Sequence, residues 1–399
     1  MAIAPARRGR RIAVLATAAV ALLGYGALAA ATAFDRAAVN SAAFTRFVPE
    51  PFQQRVLART AAQLREAGQA GAALPAAQKL VARDPMAIDS VGHLATARLA
   101  RGDGAGALAA FKVSASLGWR DALTQVFWLQ AALRGGDYGN AALRFGALAR
   151  QWPRAPIIDQ ASGLFERSPQ GRDALAQRIA NGVPWSVTYA TPNAGQTANQ
   201  LAGRANVLIA AAGRGSSLGC DRIEALTTAL TNEYPVIAVQ LWRGHCPRAA
   251  QTGMVANGKF SDLDKIAAPS PFDWKFPGDG ALELEFVNSG DESQALQVRT
   301  SSAARVPIAY QAVPLAQGRY RISWTSDAAD AATAARLLAS LSCRLERQQA
   351  NLQPGVWAAG KHVVELDFAG ACPAPFLQLW LAPGAATMQI DNVAIEPAS

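Results

Sequence analysis

The sequence predicts a multidomain α + β protein with an N-terminal transmembrane helix, an α-solenoid of helical hairpins and a C-terminal β-sandwich of jelly-roll type. Three observations support this prediction. Residues 12–33 carry no charge, residues 52–153 repeat with a period of 34, and from about residue 255 apolar and polar residues alternate. The predicted divisions are 1–34 (basic stub and membrane helix), 35–51 (linker), 52–182 (repeats), 183–250 (additional helices) and 251–399 (sandwich).

The composition excludes several classes of protein. The chain has 399 residues, of which 51% are hydrophobic and 17% charged, a balance typical of a folded protein with a sizeable core. The net charge is +9, and four Arg lie before residue 12, which leaves +5 (9 − 4) with no basic run in the rest of the chain. We therefore expect no nucleic-acid partner. Three His and four Cys without metal-binding spacing predict no metal site built from Cys and His, and we expect no cofactor.

The N-terminus predicts the compartment. The run IAVLATAAVALLGYGALAAATA at 12–33 has the length of a membrane-spanning helix. The preceding Arg cluster is expected to stay cytoplasmic, which places the bulk of the chain on the other side. The Arg- and Ala-rich composition is typical of a bacterium with a GC-rich genome, so we expect a single-pass inner-membrane protein facing the periplasm. The alternative is a signal sequence cleaved after Ala29 or Ala33, which leaves a soluble periplasmic or secreted protein.

The cysteines fit an oxidising compartment. All four lie after the membrane segment, and an even count is consistent with two disulfides. Three pairings are possible, and proximity in the sequence favours Cys220–Cys246 and Cys343–Cys372. Buried free thiols are the alternative.

The 34-residue period is carried by small residues. One set of glycines and one set of alanines recur at this spacing: Gly68, Gly102 and Gly136; Ala73, Ala107 and Ala141. Each unit is predicted to be a helix, a glycine turn and a second helix, since glycine favours the backbone where a helix ends and alanine allows two helices to approach closely.

This pattern resembles the tetratricopeptide repeat, which has the same period and consists of helical hairpins. The resemblance implies a concave face that binds a protein or peptide partner and implies no catalysis. Phe127 and Trp128, in the first helix of the third unit, are predicted to line that face, and packing between repeats is the alternative. After the repeats, helices are predicted at 197–212 and 220–232 and in the segment PVIAVQLWRG.

The last third is predicted to contain about eight short strands. ALELEFV at 281–287 alternates, and similar segments follow between turn signals. The segment VANGKFSDLDKIAAPSPFDWKF (255–276) and the closing MQIDNVAIEP (388–397) resemble the two ends of jelly-roll carbohydrate-binding modules. In such modules these ends lie together, sometimes with a structural calcium, and Asp391 is the candidate ligand.

A sugar site would need an exposed aromatic ring flanked by hydrogen-bonding groups. In FLQLWL, Trp380 and Gln378 alternate with leucines, so they are predicted to face away from the core. Arg321 and Arg344 lie on strand faces opposite apolar neighbours and complete the candidate site. The alternative is that Trp380 packs beneath a loop or against the helices.

No catalytic constellation is found in the sequence. The acidic pairs Glu283/Glu285 and Glu365/Asp367 have the i, i+2 spacing of any solvated strand face, which is not the opposed pair that a glycosidase needs. We therefore expect a non-enzymatic, membrane-anchored periplasmic adaptor. Its repeats would bind a protein, and its sandwich would bind a polysaccharide during cell-surface polysaccharide assembly or export. The alternative is an envelope scaffold that binds only proteins and has no sugar site.

Overall fold

The computed structural model describes residues 5–246, 254–261, 263, 270–278, 280–290, 293–345, 352–370, 372 and 374–398. It contains the predicted fold class: an apolar N-terminal helix, paired helices and a C-terminal domain of two antiparallel sheets. The chain forms two compact units, Met1–Gln151 and Trp152–Ser399. A compact unit can contain more than one domain, so the domain bounds given above stay a prediction.

The first helix, α1, covers Pro5–Ala38. Its part Val14–Ala38 is long and apolar enough to cross a membrane. At 1.5 Å per residue these 25 residues span about 37 Å, which exceeds the hydrocarbon thickness of a bilayer. Its large apolar side chains, such as Leu22 and Leu23, are exposed along the helix. Two short 3₁₀ turns, Ala42–Phe47 and Glu50–Phe52, connect α1 to the next helix.

Three hairpins follow with the predicted 34-residue period. Their helices are α2 (Gln54–Glu66), α3 (Ala70–Arg83), α4 (Ile88–Ala100), α5 (Gly104–Leu117), α6 (Ala122–Arg134) and α7 (Tyr138–Gln151). The three turn glycines at 68, 102 and 136 adopt φ between 71° and 80°, a conformation that other residues rarely take. Ala73, Ala107 and Ala141 are fully buried, as expected for small residues where paired helices meet.

The hairpins stack on one another. Helix α4 packs against α2, α3 and α6, and α5 also contacts α6. Each hairpin buries one side against its neighbour, and this stacking of similar units defines an α-solenoid.

The second unit begins with a helical bundle. Its helices are α8 (Pro156–Glu166), α9 (Pro169–Ala180), α10 (Ser186–Ala190), α11 (Ala198–Ala212), α12 (Cys220–Leu230) and α13 (Pro235–His245). The predicted helices at 197–212 and 220–232 and in PVIAVQLWRG correspond to α11, α12 and α13. A capping box formed by Thr197 and Gln200 fixes the start of α11, which packs against α8, α9, α12 and α13.

The same unit ends in a β-sandwich. Its strands are β1 (Leu282–Gly290), β2 (Ser293–Thr300), β3 (Val306–Ala312), β4 (Gly318–Ser326), β5 (Leu337–Ser342), β6 (Gln353–Pro354), β7 (Val356–Ala358), β8 (Lys361–Phe368), β9 (Phe376–Leu381) and β10 (Met388–Pro397). A short helix, α14 (Ala331–Ala334), precedes β5. The six-stranded sheet has the order β1-β2-β10-β4-β8-β7, and the four-stranded sheet has the order β3-β9-β5-β6. After β2 the chain changes sheet repeatedly, as in a jelly roll, and both sheets contribute to one hydrophobic core.

The Asn-Gly-Lys-Phe segment lies against the last strand, as the resemblance to carbohydrate-binding modules implied. The Val393 amide donates to the carbonyl oxygen of Gly258 at 2.8 Å, beside an irregularity in the pairing of β10. A Cβ at position 258 would lie 1.9 Å from the Val393 carbonyl oxygen, so only glycine fits there. Phe260 and Trp274 are buried side by side, with ring centroids 5.2 Å apart. Residues 262 and 264–269 of this motif lie outside the described part of the chain.

The two disulfides pair as predicted. Cys220, the first residue of α12, is bonded to Cys246, which directly follows α13. Cys343, after β5, is bonded to Cys372, before β9. Each bond closes a segment of 26 or 29 residues, for which the chain-entropy relation gives about 3.5 kcal/mol of stabilisation. They are expected to persist only in an oxidising compartment.

Candidate functional site

The predicted sugar-stacking tryptophan is not on the surface. Trp380 is 0% exposed, and its indole nitrogen Nε1 donates to Ser340 Oγ at 3.0 Å. Gln378 is 1% exposed, and Leu338 on the neighbouring strand is also buried. The prediction that Trp380 and Gln378 form an exposed ligand surface is therefore wrong. They do face away from the leucine side of β9, but that second face of the four-stranded sheet is covered as well.

The two predicted arginines lie on different sheets. Arg321, on β4 of the six-stranded sheet, pairs with Glu365 at 3.0 Å on an exposed, charged face. Arg344 is exposed just after β5 of the four-stranded sheet, and its carbonyl oxygen accepts a hydrogen bond from Ser342 Oγ at 2.6 Å. The structure therefore does not bring Arg321 together with Trp380, Gln378 and Arg344. The prediction of one site that contains all four residues is wrong.

Phe127 and Trp128 pack between repeats. Phe127 stacks on Phe111 of the preceding hairpin with centroids 3.9 Å apart, and the Trp128 Nε1 donates to the Phe111 carbonyl oxygen at 3.4 Å. Both rings are half-buried against the cluster that includes Val91 and Ala95. The alternative stated for these residues, inter-repeat packing, accounts for both of them. A role in partner binding stays a prediction.

Asp391 makes local hydrogen bonds at the β10 irregularity. Its Oδ1 accepts from the Asn392 amide at 2.6 Å, and its Oδ2 accepts from Ser289 Oγ at 3.3 Å. Among the residues that the structure describes, no three His, Cys, Asp or Glu side chains converge as a metal-binding group. A calcium site at Asp391 therefore gains no support from the described surroundings.

The junction between α1 and the first hairpin is the part of the molecule that joins two predicted functions, membrane anchoring and partner binding. Asp35 lies in the last turns of α1, yet it is buried. Its two carboxylate oxygens accept hydrogen bonds from the first amides of α2, those of Arg55 at 2.8 Å and Val56 at 3.1 Å. A helix start has unpaired N–H groups and a partial positive charge, so an aspartate there both caps and stabilises it.

The reciprocal cap comes from Arg59. Its guanidinium donates to the carbonyl oxygens of Ala38 at 2.6 Å and Val39 at 3.1 Å, which lie at the C-terminal end of α1. Carbonyl groups at a helix end are unpaired and carry a partial negative charge, which a cation stabilises. Asp35 and Arg59 thus tie α1 to α2 in both directions, through hydrogen bonds between residues 20 or 21 positions apart in the sequence. We call this pair the junction clamp.

Sequence reasoning identified neither member of the junction clamp. In the sequence, Asp35 is only a charged residue that follows the apolar run 12–33. The available signal was an aspartate about 20 residues before the first predicted repeat helix, which is too distant for a local capping motif. Its role depends on how the chain turns back through the two 3₁₀ turns.

Two of the three histidines have structural partners. His245 Nε2 lies 2.9 Å from the Leu208 carbonyl oxygen, and its Nδ1 accepts a hydrogen bond from the Leu218 amide. A nitrogen that accepts carries no proton, so this ring is neutral, and burial also lowers the pKa of His245. His362 stacks on Trp324 with centroids 4.9 Å apart, and its Nε2 lies 2.6 Å from Ser326 Oγ. Burial lowers the pKa of His362 to about 4.

A buried ionic network connects three helices of the second unit. Arg204 on α11 pairs with Asp159 on α8 at 3.0 Å, and it lies 3.8 Å from Glu166. The Tyr189 hydroxyl donates to Glu166 Oε1 at 2.8 Å. Burial raises the pKa of Glu166, which the Tyr189 hydrogen bond and the Arg204 charge oppose. Arg204 contacts both carboxylates and Tyr189 holds one of them, so the network ties α8, α10 and α11 together.

No protein-family model matches this chain, and no curated protein matches it. The resemblances to tetratricopeptide repeats and to carbohydrate-binding modules therefore rest on the quoted motifs alone.

Proposed function

We propose that this chain is a membrane-anchored scaffold of the bacterial envelope, which binds a protein partner through its helical repeats. In this proposal α1 spans the inner membrane, and the chain that follows α1 lies in the periplasm. The observation that carries the proposal is the junction clamp. Two side chains that cap each other's helix join the repeat array to the end of a helix of membrane-spanning character. In a chain that keeps α1, this joint holds the array next to the membrane.

The repeat array supports protein binding as the role of the first unit. Its second hairpin exposes large apolar side chains that a solvated surface does not need, including Leu99, Leu108 and Val113, which are 39–51% exposed. Trp119, at the start of the third repeat, is also exposed, and the Arg144 guanidinium lies 3.9 Å above its ring. We take these side chains as the candidate contacts for a protein partner.

The sandwich supports a docking or spacing role better than a sugar-binding one. The outer face of its six-stranded sheet carries ion pairs, such as Arg319–Glu365 at 3.2 Å and Arg299–Glu283 at 3.7 Å. In the described part of the sandwich, the exposed large apolar side chains are Leu345 and Val356, and neither is aromatic. Polysaccharide binding was the first expectation from the sequence, but with Trp380 buried it has no described platform and is not part of the proposal.

The anchoring half of the proposal is tested on native membranes. Alkaline carbonate releases peripheral proteins but leaves spanning helices in the bilayer, so we expect the full chain to remain in the pellet. Mass spectrometry of the mature N-terminus distinguishes the alternative. A chain that begins after Ala29 or Ala33 would contradict a retained anchor.

The binding half is tested by photocrosslinking in cells. A photoreactive amino acid is placed at Leu108 or Val113, with Val356 of the sandwich (77% exposed) as an exposed control outside the repeats. We expect both repeat positions to give the same discrete protein adduct, with the same mass and the same partner peptides. Adducts from Val356 alone would place the binding surface on the sandwich, and the absence of any protein adduct at the repeat positions would refute repeat-mediated binding.

A further inference from the structure

The C-terminal end of α1 and the 3₁₀ turn that follows it carry an exposed aromatic patch. Phe34, near the end of α1, stacks with Phe44 and Phe47 of the following 3₁₀ turn, with centroids 6.2 Å and 5.7 Å apart. The three rings are 36%, 38% and 50% exposed. We call these three residues the phenylalanine patch. Such rings are usually buried in a soluble protein, so three together on the surface require an explanation.

The geometry of the patch makes it a single surface. Phe44 and Phe47 are three residues apart in a 3₁₀ helix, where side chains at i and i+3 eclipse and point in the same direction. Ala31, Asp35 and Ala38 are buried on another side of α1, which is the side held by the junction clamp. The exposed patch therefore lies next to the side of the same helix end that packs inward.

The height of the patch along α1 indicates what covers it. About 20 residues cross the hydrocarbon core, so a span that begins at Ile12 leaves the core near Ala31. Phe34 then lies within one helical turn of the hydrocarbon boundary, at the depth where apolar side chains of interfacial segments insert. Arg36 and Arg46 flank the patch, and the Arg46 guanidinium lies 4.7 Å above the Phe47 ring. Their positive charges complement lipid phosphates.

We propose that the phenylalanine patch inserts into the outer interface of the same bilayer that α1 spans, with lipid as its partner. This inference rests on the proposed function, because it requires α1 to be retained in the membrane. In this arrangement α1 crosses the bilayer and the phenylalanine patch is inserted in its outer interface. Because the junction clamp joins α1 to α2, the repeat array is then held at a defined angle to the membrane surface. A single-pass helix with a loose linker would leave that angle free.

The test uses the full chain in vesicles of phosphatidylethanolamine and phosphatidylglycerol. All native cysteines of the chain are paired, so a single added cysteine can carry a nitroxide label. Phe44→Cys and Phe47→Cys are compared with Met86→Cys, which is 72% exposed in the loop between the first two hairpins. Power saturation then measures the access of membrane-soluble oxygen and of a water-soluble nickel complex to each label.

We expect oxygen to reach the labels at 44 and 47 more readily than nickel, and the reverse at position 86. The inference would be overturned if nickel reached the labels at 44 and 47 as readily as the label at 86. If the same chain resists carbonate extraction, the proposal of a retained anchor is unaffected by that result. Release of the chain by carbonate would overturn both. Spin–spin broadening between labels on different molecules would assign the patch to a second copy of the chain and overturn the lipid assignment.

A second measurement avoids any substitution in the patch. Vesicles that contain a lipid with a photoreactive group near its headgroup are irradiated with the wild-type chain, and the labelled peptides are mapped. Lipid adducts on the segment 42–47, and not on the loop at 84–87, are the expected result. Adducts equally frequent on both segments, or confined to α1, would contradict insertion of the patch.

Discussion

Removal of the Asp35 carboxylate should loosen the start of α2. Asp35→Ala leaves the amides of Arg55 and Val56 without their acceptor in a buried position. Each lost hydrogen bond of this kind costs about 1 kcal/mol, so the two together cost about 2 kcal/mol. At about 1.4 kcal/mol for a factor of ten, local opening of this turn should become roughly 30-fold more frequent.

Hydrogen exchange of the full chain in lipid nanodiscs measures this opening. The amides of Arg55 and Val56 should exchange roughly 30-fold faster in Asp35→Ala, and by an intermediate factor in Asp35→Asn, which retains one acceptor oxygen. Asp103→Ala is the control, because Asp103 caps α5 through the Gly106 amide at 2.8 Å, and α5 is the third helix after α2.

Unchanged exchange at residues 55 and 56 in Asp35→Ala would refute the junction clamp. So would an equal increase in the Asp103→Ala control, because that result would show a general loss of stability in the repeats and not a local cap. Arg59→Ala should remove the hydrogen bonds to the carbonyl oxygens of Ala38 and Val39. We expect the backbone amides of the loop after Val39 to exchange faster in this variant.

Three further predictions concern the sandwich. Gly258→Ala should lower the free energy of unfolding of the sandwich by about 3 kcal/mol in denaturant, because the new Cβ meets the Val393 carbonyl. Gly278 has open space around it, so Gly278→Ala should change the free energy of unfolding by less than about 0.5 kcal/mol. Because burial lowers the pKa of His362 from 6.5 to about 4, the folded chain binds that proton less tightly than the unfolded one. Stability should therefore fall by roughly 3 kcal/mol as the pH drops from 6.5 to 4, and His362→Gln should show a flatter profile over this range. Trp380→Ala should cost about 3–5 kcal/mol of stability through the cavity it leaves, and a variant that unfolds like the wild type would mean that the ring is not part of the core.

Much of the fold could be predicted because it depends on short-range patterns. Helices that begin at Gln54, Ile88 and Ala122 reproduce the 34-residue spacing of the turn glycines. Strand positions followed from alternation, which places Leu377 and Leu379 in the core. The disulfide pairing followed from proximity, since each bond closes a short segment.

The candidate sites could be predicted much less well. Alternation correctly placed Trp380 on the side of β9 opposite the leucines, but it cannot tell whether that side faces water or other protein atoms. Likewise, Arg321 and Arg344 each occupy a plausible position on a strand or next to one, yet the change of sheet between β4 and β5 separates them. The same limit applies to Phe127, which stacks on a residue of another hairpin.

The sequence by itself determined the apolar N-terminal helix, the repeat period, the strands and the pairing of cysteines, because each is specified by residue types within a few turns or strands of one another. Only the tertiary structure decided which faces are covered and which distant groups meet. Asp35 is the clearest case: in the sequence it is one charge at the end of an apolar run, and in the folded chain it is the cap of α2. That contact forms only because the chain turns back on itself, and no local pattern encodes the turn.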